Sequence, residues 1–83
     1  MRRAARSVVL NVAEGAGEFS PKEKARLFRI ARRSGWETVG AFDLGLKEGF
    51  FTKPDTDAAE GLLQEVTSML TTMIKKAEAR ARS

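Results

Sequence analysis

Eighty-three residues leave room for one small domain, since a chain this size buries only about 60 to 65 per cent of the surface it exposes when unfolded. With 42% hydrophobic and 31% charged side chains it reads as globular, and no apolar run approaches the roughly 20 residues of a membrane span. Cysteine and histidine are both absent, which removes disulfides, zinc sites of the usual kind, thiol nucleophiles and imidazole bases.

The net charge of +4 is unevenly spread. Residues 1–33 hold nine basic and three acidic side chains, residues 34–74 two and seven, and residues 75–83 four and one. Basic ends around an acidic middle suit a polyanion, a neighbouring subunit of opposite local charge, or plain solvation. Arg2, Arg3 and Arg6 precede only Val8-Val9-Leu10, too short for the apolar stretch of a signal peptide, so the expected location is the cytoplasm of a microbe.

A first helix is expected over about residues 2–14. Ala5, Val8, Val9 and Val12 recur at helical spacing as a core-facing stripe, and Ser7, Asn11 and Glu14 form a polar row beside them, suited to a structural hydrogen bond or a ligand contact. Three arginines crowd the positive end of this helix and nothing caps it, so the sequence reads as though it entered mid-helix.

The corner that follows organises the chain. Gly15 and Gly17 can take the left-handed conformation that ends a helix, which places the stop near Glu14. Ser20 is an N-cap, Pro21 suits the first helical position, and Glu23 can close a capping box.

A second helix runs from Pro21 to about Glu48, with Leu27, Phe28, Ala31, Val39, Phe42 and Leu46 on its apolar side, interrupted by Ser34 and Gly35. Gly35, Gly40 and Gly45 each cost about 1 kcal/mol of helix propensity, which points to close helix approach or to a kink. Gly49 reads as the C-terminal stop, with Phe50 and Phe51 turning back into the core.

The third helix is expected over about residues 55–80. Thr52 with Pro54, and Asp57 with Glu60, are alternative caps. Leu62, Leu63, Val66, Met69, Leu70, Met73, Ile74 and Ala77 keep an unbroken amphipathic pattern, with Met69 and Met73 as gap-filling core. Strand alternation and repeats are absent. The fold class is therefore all-α, a single domain over residues 1–83 built as an antiparallel up-down bundle of three helices resembling a four-helix bundle.

The sharpest functional feature is a basic row on the second helix. Lys22, Arg26, Arg29 and Arg33 recur at spacings of four, three and four, with Arg32 at the edge and Trp36 a turn beyond. Such a ridge can meet successive phosphates while the indole stacks on an unpaired base; it is equally compatible with a partner's acidic surface or with solvent. Lys75, Lys76, Arg80 and Arg82 favour the negative end of the third helix and can widen a polyanion footprint. Carboxylates at Glu14, Glu23, Glu37, Asp43 and Glu48 show no metal-ligand spacing, and Gly15-x-Gly17 lacks the strand and the Gly-Lys ending of a phosphate loop. Neither catalysis nor a cofactor nor a metal is expected.

Arg2-Arg3-Ala4-Ala5, Ser7-Val8, Asn11-Val12-Ala13-Glu14-Gly15-x-Gly17, Ser20, Glu23, Arg26, Ile30-Ala31, Ser34 and Glu37 carry a resemblance. They resemble the bacterial four helix bundle protein family, also described as intervening-sequence-encoded proteins, which includes the accessory variability protein of diversity-generating retroelements. The likeness is specific over residues 2–37 and looser beyond, where Leu44-Gly45, Met69-Leu70 and Met73-Ile74 are compatible with the family's last two helices. It implies a small cytosolic helical protein without known catalysis, a ring-shaped homopentamer with basic surface, and in some relatives association with RNA, DNA or a reverse transcriptase. Asn11, Glu14, Gly15, Gly17 and Ser20 carry over as the corner, and Arg26, Ser34 and Glu37 as positions on the second helix. Lys24 and Arg33 depart from the aromatic residue and glycine usual there, and the family's first helix has no counterpart. A bundle short of one helix exposes an apolar groove, for which oligomerisation is the expected cover. Two functions follow as expectations: a non-enzymatic, oligomeric nucleic-acid-associated protein, or an assembly module that docks a partner protein without nucleic acid.

Overall fold

The computed structural model describes residues 2–83, and of Arg2 only the backbone. It contains three α-helices, α1 (Arg2–Gly17), α2 (Pro21–Lys47) and α3 (Lys53–Arg82), and no strand among the described residues. At about 1.5 Å per residue these are roughly 24, 40 and 45 Å long.

α2 is the spine. Ser7 of α1 lies against Ser34 and Gly15 against Phe28, while Arg29 reaches Glu78 of α3 and Arg32 reaches Thr71, so both neighbours run antiparallel to it. Among the described residues, no Cα of α1 lies within 8 Å of one of α3. The up-down order is as expected, but the three helices do not close around a shared centre. They form a trough, with α2 as its floor and α1 and α3 as its walls.

That shape corrects the expected core. Phe28, Ala31, Leu70 and Ile74 are buried together, with Val12, Val66 and Met73 packed partly against them. Val8 is buried, but Ala5 is exposed and Val9 is 68% exposed. Met69, expected as core filler, is 61% exposed. Helices whose apolar stripes are wider than one neighbour can cover leave the remainder facing the trough.

The helix ends also differ from expectation. α1 continues through Gly17, and among the described residues the left-handed region is taken only by Gly49, with φ 82°. Gly15 is helical and buried, and its role is close approach: a Cβ there would stand 2.6 Å from Cε1 of Phe28. Ser20 caps α2 as expected, its Oγ accepting from the Glu23 N–H at 3.3 Å. The reciprocal half of the box is absent, because the Ser20 N–H donates to Glu18 Oε1 while the Glu23 carboxylate is taken by Arg26.

α2 ends at Lys47 with Glu48 as its cap. Phe51 turns back, packing on Gly45 and edge-on to Phe42 with centroids 5.5 Å apart, whereas Phe50 stays exposed. α3 begins two residues earlier than expected because Thr52 is its cap, accepting from the Asp55 N–H; Asp57 lies inside the helix and pairs with Lys53. Ser34 and Gly35, which interrupt the apolar side of α2, are both buried where helices meet, Ser34 toward α1 and Gly35 beside Thr67 of α3. Gly40 meets open space. α1 reaches only about as far as Thr38 or Val39 of α2, so beyond that point α2 and α3 continue as a two-helix arm.

Candidate nucleic-acid interface

Phe28 and Ala31 of α2 are turned into the core, and Lys22, Arg26, Arg29 and Arg33, at about 100° per residue, fall on the outward side. All four are exposed and share one ridge. The like charges do not stand alone. Arg26 donates Nε to Glu23 Oε1 at 2.9 Å, Arg29 reaches Glu78 Oε2 at 3.1 Å and Arg33 lies 3.9 Å from Glu37 Oε1. Arg26 holds the Glu23 carboxyl below its ordinary value, chiefly through that hydrogen bond.

Arg32 leaves the row and leans toward α3. Its Nη1 donates to Thr71 Oγ1 at 3.1 Å, and the guanidinium lies 5.0 Å over the Trp36 ring. Arg32 Nε is buried with no hydrogen-bond partner among the described residues. Trp36 remains 56% exposed, so an aromatic surface backed by a cation ends the ridge. Of the sequence-derived set, the structure therefore unites Lys22, Arg26, Arg29 and Arg33 as a ridge and sets Arg32 with Trp36 as a separate stack.

Glu37, four residues after Arg33, is a partner that local helical spacing makes readable. Glu23 was readable at three residues before Arg26, but Glu78 comes from the far end of α3 and has no local signal. Arg82, one of the C-terminal cations expected to widen a polyanion footprint, lines a shallow cleft with Lys22, Arg29 and Glu78 where α3 ends.

The corner residues are structural in this geometry. Asn11 Nδ2 donates to Ser7 O at 2.8 Å and to Ser7 Oγ at 3.1 Å, and Ser34 Oγ donates to Ser7 Oγ at 2.7 Å, which ties α1 to α2 by a partly buried polar chain. Glu14 is exposed and adds a minor attraction to Arg26; Gly17 is exposed with open space around it. Among the described residues no cluster of carboxylates is arranged to hold a metal ion.

No helix of the described residues is long and apolar enough to cross a membrane. No curated protein and no solved structure matches the chain. A comparison with protein families matches residues 1–72 to the family described as 23S rRNA-intervening sequence protein. With that match over most of its length, and with the helical architecture and polar corner described above, the chain belongs to the 23S rRNA-intervening sequence protein family.

Proposed function

We propose that the protein is a non-enzymatic, self-associating helical protein of the cytoplasm that binds nucleic acid along the outward face of α2. The observation that carries this reading is the ridge of four exposed cations spaced four, three and four apart, ending in the Arg32–Trp36 stack. The three carboxylates on the ridge do not block it. Each pair is solvent-exposed, and such pairs are worth about 0 to 1 kcal/mol and weaken with salt, so a phosphate can take the place of a carboxylate. Arg82 beside Lys22 and Arg29 extends the same face onto α3. The free face of Trp36 offers a stacking surface to an unpaired base. The family's description names the 23S rRNA intervening sequence, which makes RNA the first nucleic acid to test.

Titrating RNA and single-stranded DNA at several salt concentrations tests the proposal. Four to five phosphates met on a single strand predict a log–log salt slope of about −3, and Arg26→Ala with Arg33→Ala should flatten it by about 0.7 for each phosphate left without its arginine. Affinity that does not fall as salt rises sinks it.

A second reading, docking of a partner protein without nucleic acid, draws on the same helix. Beyond Arg33 the outward face continues as Trp36, Gly40 and Leu44 at spacings of four, exposed and largely apolar, with an uncontacted glycine between two large side chains. A wild type with no salt-dependent nucleic-acid affinity, and Trp36→Ala and Leu44→Ala variants that no longer hold a protein partner the wild type holds, would favour it.

A further inference from the structure

Phe19 is 98% exposed, more than any other large apolar side chain among the described residues. It stands on the short link between α1 and α2, residues 18–20, which is pinned by its own hydrogen bonds. The Glu18 N–H donates to Gly15 O at 3.2 Å, the Ser20 N–H donates to Glu18 Oε1 at 3.1 Å, and Ser20 Oγ caps α2. A side chain placed just before an N-cap often packs on an apolar group at the fourth position of the helix. That position here is Lys24, whose ammonium is drawn back to Ala16 O and over the Phe28 ring, so the Phe19 ring has no cover.

Phe19 comes three residues before Lys22, and Trp36 three after Arg33, so an exposed aromatic stands at each end of the cation ridge. Glu18, beside Phe19 in the link, is turned onto the Ser20 N–H. Phe50, 73% exposed, is placed differently: it lies in residues 40–65, where six acidic and two basic side chains make a field that repels phosphate. Between Lys22 and Trp36 α2 rises about 21 Å. Stacked nucleotides advance about 3.4 Å each and unstacked ones further, so the stretch from ring to ring spans about four to seven nucleotides. A duplex hides its base faces except at its ends, whereas a single strand can offer a free base to each of two separated rings.

We infer that Phe19 is a second stacking site, and that the ligand of the ridge is a single polynucleotide strand: one base on Phe19, one on Trp36, and phosphates on Lys22, Arg26, Arg29 and Arg33 between them. The inference rests on the proposed nucleic-acid binding and deepens it by setting the ligand as single-stranded and giving it a minimum length. A ring held out in advance on a pinned link loses little freedom when a base closes on it. A strand too short to reach both rings gains only one of them, so affinity should rise steeply once the length passes the span.

Strands of RNA and of DNA about ten nucleotides long, and a duplex of the same length, titrated at several salt concentrations, test it. Phe19→Ala should weaken the single strand roughly 5- to 150-fold, the worth of one stacked base, with the salt slope unchanged because no phosphate contact is lost. Helicity by circular dichroism should not change, since the ring is already exposed. Phe19→Tyr should keep wild-type affinity, and Phe50→Ala should have no effect. Trp36 is the only tryptophan of the chain, so its fluorescence reports one end directly, and Phe19→Trp combined with Trp36→Phe moves the reporter to the other. Both should be quenched by the strand. The RNA and DNA strands separate the two sources of the same chemistry, and the Phe19 effect is expected on whichever binds. Salt-dependent binding indifferent to Phe19→Ala, an indole at position 19 that the strand does not quench, or a duplex bound more tightly than the single strand overturns the inference and leaves the ridge standing. A wild type with no salt-dependent affinity overturns the underlying reading as well.

Discussion

The part of the molecule where all three helices overlap and the arm where only α2 and α3 continue are built from similar helices but held by different means. In the three-helix part, Ala25, Leu27, Phe28, Ala31, Leu70, Ile74 and Ala77 are buried, and the Ser7–Asn11–Ser34 chain pins α1 in register. In the arm the buried residues are Gly45 and Thr56, and the larger apolar groups Phe42, Leu46, Phe51 and Leu63 are only half-buried. Charge divides the same way: residues 40–65 carry six acidic and two basic side chains, and the remainder of the chain holds most of the positive charge. Helices need a third neighbour to bury a full apolar stripe, so stability concentrates where that neighbour exists, and the arm is expected at the low end of local stability.

The largest expected effect tests that division. Phe28 is buried against Gly15, Ala31, Leu70 and Ile74, and Phe28→Ala should cost about 3 to 5 kcal/mol, enough to unfold much of a domain this small. Phe42→Ala in the arm removes a half-buried ring and its edge-on packing with Phe51, and it should cost far less. Urea denaturation of both variants measures this. Equal losses would mean that the arm is as tightly held as the rest.

Ser20→Ala comes next, at about 1 kcal/mol, through loss of the acceptor for the Glu23 N–H. Because this cap begins the helix against which both neighbours pack, its removal should lower the midpoint of the whole transition and not melt the arm separately. A thermal scan showing no change would mean the corner is held by the α1–α2 hydrogen bonds alone.

How far the sequence could be read divides along the same line. Local chemistry was legible: three helices, the Ser20 cap, Gly49 as the stop, and Ser7 with Asn11 as a structural polar contact. What depended on which neighbour is present was not. Gly15 looked like a turn residue because its sequence carries the small side chain but not the Phe28 ring that requires it. Val9 and Met69 fit a core pattern that only another helix could complete. The arginine row was visible, but its partner Glu78 lies 49 residues away from Arg29.

The smallest effect compares one carboxyl from each region. Glu23, in the three-helix part, is held below its ordinary value by Arg26, so the stability it adds is present above the ordinary glutamate range and is lost as pH falls through its lowered value. Glu60, in the arm, behaves oppositely. A hydrogen bond shared with Asp43 of α2 holds it above its ordinary value, with partial burial and repulsion from Asp43 and Asp57 adding to the shift and Lys53 opposing it. The folded arm then keeps a proton that the unfolded chain releases, and stability falls as pH rises between the ordinary value and the raised one. Glu60→Gln should remove that fall, raising the melting temperature slightly at neutral pH and flattening the profile just above the ordinary glutamate range. Glu23→Gln should do the reverse, lowering the melting temperature slightly at neutral pH and flattening the profile below that range. If Glu60→Gln leaves the pH profile unchanged while Glu23→Gln alters it, the two helices of the arm do not hold Asp43 and Glu60 together in solution, and the arm is looser than its half-buried rings imply.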